Sequence, residues 1–193
     1  MEYTNIEYHR EEFVQNDFSK KDLTNRVFYN CTFQSCNFSD AILHDADFED
    51  CRFIGCNLTN PKIEQAKFNH VHFQDCKLMG FNIYKCNQFS LEVSFKKCKI
   101  SSCNFSDIHM KNTEFTECKI IDSFFENTNL VGSSFEGSHF QNTLFHNANL
   151  KESSLCNAVG YVIDPRVNDV RKAKFTLPDV LNLLTGFEIE IIE

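Results

Sequence analysis

Cysteine is the residue type here with the most chemistry to offer, and the 193-residue chain has ten of them. Several stand five apart, as in Cys31/Cys36, Cys51/Cys56 and Cys98/Cys103. Zinc would need such thiolates to converge, but this interval is that of a repeat and sends the two members of each pair to adjacent sides. A disulfide scaffold suits a small secreted domain. This chain is longer, and Met1-Glu2-Tyr3-Thr4-Asn5-Ile6-Glu7 has neither the basic patch nor the apolar run of a signal peptide. Reduced core thiols are therefore expected. His70 and His72 are close in sequence but have no carboxylate or cysteine at a recognised metal spacing. The apparent glycosylation sequons at Asn37, Asn57 and Asn104 are products of the same five-residue register. No glycine-rich phosphate loop, nucleophile elbow or acid pair stands out, so the expectation is no catalytic residue, no cofactor, no metal and no enzymatic activity.

The elements that must position these residues follow from the period. From Phe13 every fifth residue is apolar through Ile83, and a second run goes from Phe95 through Leu155; all 28 are Phe, Leu, Ile or Met. Two residues before each stands a second restricted position, mostly Cys, Ala, Ser or Thr, as at Cys36, Ala46, Cys56, Cys98, Ser133 and Ala148. A period of five fits neither the 3.6 of a helix nor the 2 of a strand. The chain must turn at every unit, sending one large and one small side chain inward per side. With only 6 Gly and 3 Pro, an ordinary sandwich or barrel lacks turn material.

Cys36-Asn37-Phe38-Ser39-Asp40, Ala46-Asp47-Phe48-Glu49-Asp50 and Ala148-Asn149-Leu150 resemble the units of the pentapeptide-repeat family: small, Asp/Asn, Leu/Phe, then two variable residues. The resemblance covers about residues 13–158. It implies an all-β fold, a right-handed quadrilateral parallel β-helix with four units per coil. Residues twenty apart should then stack. One side reads Phe13, Phe33, Phe53, Phe73, Phe95, Phe115, Phe135, Leu155, provided that one unit after Ile83 is lengthened by two residues; another reads Leu23, Leu43, Ile63, Ile83, Phe105, Phe125, Phe145. About seven coils are expected.

The ends depart from the pattern. Glu11, Asn16, Lys21 and Arg26 take the small position in the first coil, as in an N-terminal cap, with Tyr3 and Tyr8 extending the register. After Leu155 the pattern stops. Thr176-Leu177-Pro178-Asp179 reads as a capping box and Gly186 as a stop, which predicts a helix over 177–185 followed by a strand over 187–191. The expected organisation is a repeat domain over 1–158, cap included, and a capping and dimerisation segment over 159–193. Val180, Leu181, Leu184, Phe187, Ile189 and Ile191 are its candidate interface residues.

The formal charge is −8, which disfavours a non-specific nucleic-acid binder. It is unevenly spread: net −6 over residues 1–60, +4 over 61–100 and −4 over 101–155. Asp40, Asp45, Asp47, Glu49 and Asp50 form the densest acidic cluster and sit at outward positions. Within the family, the Phe- and Cys-rich units, the Ile163-Asp164-Pro165-Arg166-Val167-Asn168 segment and the closing Leu183-Leu184-Thr185-Gly186-Phe187-Glu188-Ile189 are similar to Qnr quinolone-resistance and microcin-immunity proteins. The absence of a signal peptide and of a long apolar run leads to the expectation of a cytoplasmic protein with no membrane segment, the charge to no direct nucleic-acid contact, and the resemblance implies a homodimer. It implies a DNA mimic that binds DNA gyrase or a related type II topoisomerase and guards it from a quinolone or peptide toxin. A non-catalytic interaction scaffold with another partner is the alternative. The sequence differs from the Qnr pattern in having no long loop between coils; its one interruption is Tyr84–Ser94.

Overall fold

A computed structural model describes residues 6–190 and 192. It is a right-handed parallel β-solenoid of about eight turns with one short helix. Strands of mostly three residues pair with those one coil away, Phe13 with Phe33, Phe33 with Phe53 and Phe28 with Phe48. We number the four sides by their first centres: Phe13, Phe18, Leu23 and Phe28.

Direct stacking follows from parallel pairing, which sets each inward side chain above its like at the spacing of neighbouring strands. On side one the ring centroids of Phe33, Phe53 and Phe73 follow at 4.7 and 5.0 Å, nearly parallel. Neighbouring sides meet edge to face, as Phe53 does Phe38 and Phe48, both at 5.5 Å. Both geometries are favoured by the ring quadrupole. Tyr8 extends side four at 5.0 Å over Phe28; Tyr3 lies outside the described residues.

Inward thiols and hydroxyls bond one coil back. Cys56 Sγ donates to the Phe33 carbonyl at 3.2 Å, Thr128 Oγ1 to Phe105 at 2.7 Å and Ser133 Oγ to Met110 at 2.8 Å. All ten cysteines are free, with nine buried and Cys156 half-buried. Burial pushes the Cys86 and Cys103 thiols up to about 12, so they stay protonated.

Each corner is made by the residue two after the centre, held at φ near +50 to +60°. More than half of the non-glycine residues there are Asn or Asp, whose short polar side chains tolerate the left-handed region. The turn chemistry that seemed scarce in Gly and Pro is therefore supplied by Asn and Asp.

The interruption is resolved in detail. Phe95 pairs with Phe73 and Lys99 with Lys77, so the net insertion is two residues, as expected. Locally Asn87 bonds Ala66 across 21 residues and Leu91 pairs with Phe68 across 23. Gln88–Ser90 is the inserted piece, a single 3-10 turn. Phe89 at its tip is 100% exposed.

Three expectations about the C-terminus are corrected. The repeat does not stop at Leu155: Asn149 bridges Asp169, and Ser154–Leu155 pairs with Lys174–Phe175, completing a further coil. That coil is hidden in the sequence because unlike residues fill it. Asn168 takes a small position by donating to the Phe145 carbonyl at 3.1 Å while its Oδ1 accepts from Ala148 N. The helix is a 3-10 helix, Asp179–Phe187, starting two residues late. Its presumed capping side chains are used elsewhere: Thr176 Oγ1 accepts from Asn157 N and Asp179 Oδ1 from Gly160 N. Gly186 lies inside the helix, and Glu188 ends it in the left-handed region, so residues 188–190 form no strand.

Candidate partner-binding surface

The five predicted acidic residues ring a single coil. Asp40 stands at the corner between sides two and three, Asp45 between three and four, and Asp50 between four and one; Asp47 and Glu49 flank Phe48 on side four. The fold thus groups Asp45, Asp47, Glu49 and Asp50 and leaves Asp40 one side away. All are exposed except the half-buried Asp47. Residues 31–50 contain these five acids and no Lys or Arg.

The next coil partly screens the cluster. Lys67 Nζ lies 2.8 Å from Asp47, and that carboxylate raises the lysine's pKa. His70 stands between Asp50 at 3.6 Å and Glu92 at 3.1 Å, joining the acidic coil to the strand that follows the inserted turn. Charge from this coil is therefore most open at Asp40, Asp45 and Glu49.

The candidate interface residues of the tail lie on or beyond the helix. Val180 and Leu184 are half-buried, while Leu181, Phe187 and Ile189 are exposed at 39%, 45% and 56%; Ile191 lies outside the described residues. Arg166 anchors this segment, with its guanidinium 5.2 Å above the Phe187 ring and 2.6 Å from Asp164. The same contact holds the Asp164 carboxyl down at about 2.

Two features were missed by the sequence reading. The corner rule was recoverable from the excess of Asn, Asp and Gly at every fifth residue. Phe89 was detectable as an aromatic outside the register. Among the described residues no cluster of His, Cys, Asp or Glu is arranged to hold a metal, and no helix is long and apolar enough to cross a membrane.

Family models agree with this geometry. The pentapeptide repeat region matches residues 46–92 and 88–158, and an eight-copy pentapeptide-repeat model matches 17–60. The chain belongs to the pentapeptide-repeat family. Comparison with curated proteins finds no match. Among solved structures, full-length QnrB1, a plasmid-mediated fluoroquinolone resistance protein, is similar at 22% identity and a TM-score of 0.58, over 95% of this chain and 90% of that one. A trypsin-treated QnrB1 variant is similar at 23% identity and 0.60, over 96% and 90%. The cyanobacterial pentapeptide-repeat protein HetL from Nostoc covers 87% of this chain and 82% of its own at 12% identity and 0.41. This pentapeptide-repeat chain thus shares its fold with QnrB1 over nearly its whole length.

Proposed function

We propose that this protein binds a type II topoisomerase, DNA gyrase in the first instance, by presenting a DNA-like acidic rod to the surface that receives duplex DNA. On this reading it guards the enzyme from a quinolone or a peptide toxin, and its place of action is the cytoplasm. The likeness in fold to a fluoroquinolone resistance protein supports the reading.

The observation that carries it is a choice made at the corners. The fold asks only for a residue that tolerates positive φ, and Asn serves at Asn25, Asn30 and Asn60. Yet three successive corners of one coil, 40, 45 and 50, are all Asp, where the coils on either side place Lys20, Asn25 and Asn30, and Asn60, Gln65 and His70. Backbone geometry does not account for that substitution of charge for amide. An acidic belt steered towards a basic groove does.

The exposed Leu181, Phe187 and Ile189 at the C-terminal end support a two-fold dimer, with Val180, Leu184 and Ile191 as its further candidate residues. Two rods of eight turns end to end span about 77 Å. Duplex DNA of that length carries about 45 phosphate charges, one per 1.7 Å, against a formal −8 per chain. The mimicry is therefore local, centred on the belt, and the exposed Phe89 turn supplies an apolar contact two coils further along the same side.

Gyrase supercoiling, titrated with the protein with and without a fluoroquinolone at two salt concentrations, tests this. The wild type should change supercoiling or relieve the drug, more strongly at low salt. Asp40→Asn with Asp45→Asn and Asp50→Asn keeps every corner and removes three charges, and should weaken the effect at least tenfold. No effect of the wild type on gyrase or its sister topoisomerase would leave the scaffold reading in its place.

A further inference from the structure

Side two carries a second electrostatic feature, opposite in sign. Lys77, Lys99 and Lys119 are paired in register on successive coils, and His139 continues the column. All four are exposed. Among the described residues none of the three lysines has a carboxylate within 4.0 Å, as is also true of Lys20, Lys21, Lys62, Lys96, Lys111 and Lys174; what sets these three apart is that they face one another in register. Like charges directly opposite on paired strands are unfavourable.

The same column lower on the rod has the solution that the fold itself favours. Asn57 Nδ2 donates to Asn37 Oδ1 at 3.1 Å and Asn37 Nδ2 to Asp17 Oδ1 at 3.2 Å, an amide ladder along the axis. At the fourth coil this ladder gives way to three unpaired cations. The fold gains no hydrogen bonds from the change, so the lysines point to an external anion.

We propose that the Lys77–Lys99–Lys119 column is a docking strip for the phosphodiester backbone of duplex DNA. The three charges form a straight, rigid line about 10 Å long on a flat β-sheet side, and the corner residues beside it include Gly80 and Ser102, which leave room for a chain to approach. None of the fully exposed large apolar side chains falls in residues 74–80, 96–102, 116–122 or 136–142, and the outward apolar neighbours on these strands, Met79 and Ile121, are half-buried. A protein partner would need a buried apolar or aromatic anchor, and single-stranded nucleic acid would need exposed rings for base stacking. Lysines as point charges without such anchors suit backbone phosphates, which call for no side-chain complementarity beyond charge. Asp75, Glu117 and Asp122 stand at the neighbouring corners, and with the net charge they keep binding weak and confined to the strip.

Fluorescence anisotropy of a labelled 20-base-pair DNA duplex, with no topoisomerase present, tests this separately from the proposal above. Three phosphate contacts give a log–log salt slope of about −2.7, so affinity should fall about 40-fold between 50 and 200 mM salt. Lys77→Asn with Lys99→Asn and Lys119→Asn extends the amide ladder upwards and should fold normally by circular dichroism while losing the binding. Lys20→Asn with Lys21→Asn, outside the column, should leave the slope unchanged. The inference is overturned by no duplex binding at 50 mM salt, by an unchanged slope in the triple variant, or by poly-glutamate outcompeting the duplex, which would assign the strip to an acidic protein.

Discussion

Replacing Phe53 with alanine tests the view that stability is set rung by rung. The ring is fully buried, stacked between Phe33 and Phe73 at 4.7 and 5.0 Å and edged by Phe38 and Phe48 at 5.5 Å. Burial of a phenyl group and its cavity term place Phe→Ala at about 3–5 kcal/mol. The upper end applies, because the coils above and below are held apart by the backbone ladder and cannot close on the void. Phe13 is the contrasting site near the end of the rod: it is 9% exposed, stacks on Phe33 at 4.9 Å and meets Tyr8, Phe18 and Phe28 edge to face. Its truncation should cost about 2–3 kcal/mol, since the end of the rod admits water. Guanidinium denaturation followed by far-ultraviolet circular dichroism gives both values. The central variant should also show a lower m value, as the two halves of a solenoid begin to unfold independently. Equal losses at the two positions, or less than about 2 kcal/mol at Phe53, would refute rung-wise packing and mean that the coils relax around a missing ring.

Two further predictions concern stability. Cys56→Ser should shift stability by less than about 1 kcal/mol, because Ser133 and Thr128 already bond the carbonyl 23 residues back in other coils; Cys56→Leu should overpack the column by about 2–3 kcal/mol, and thermal melts of both separate the outcomes. Gln65 holds φ at +58°, so Gln65→Gly should stabilise by about 0.5–1 kcal/mol through relief of left-handed strain. A lower melting temperature for the glycine variant would count against strain at the corners.

Much of the fold could be read from spacing alone. The 28 centres, the small inward positions, the 20-residue stacking and the two-residue net insertion all follow from one requirement: parallel coils set like side chains above like, so a single inward residue type repeats at a fixed interval. The acidic cluster was visible too, but its distribution was not. Asp40 and Asp50 are ten residues apart and stand two corners from one another, while Asp47 and Lys67, twenty apart, touch.

What only the tertiary structure decided lies where the repeat is broken or where contacts cross coils. The last coil escaped notice because Asn168 replaces a small residue by making its hydrogen bonds instead of by its size. The capping box at Thr176 failed as a local signal because neighbouring backbone N–H groups of the final coil claimed both of its side chains. The position of Phe89 outside the wall depends on where the ladder resumes, at Leu91 against Phe68. The lysine column exists only because Lys77, Lys99 and Lys119, at least twenty residues apart in the chain, are neighbours along the rod. Sequence periodicity dictates which residues face inward, since burial selects them coil after coil. Outward residues are free to vary, and only the pairing of coils sets which of their charges meet.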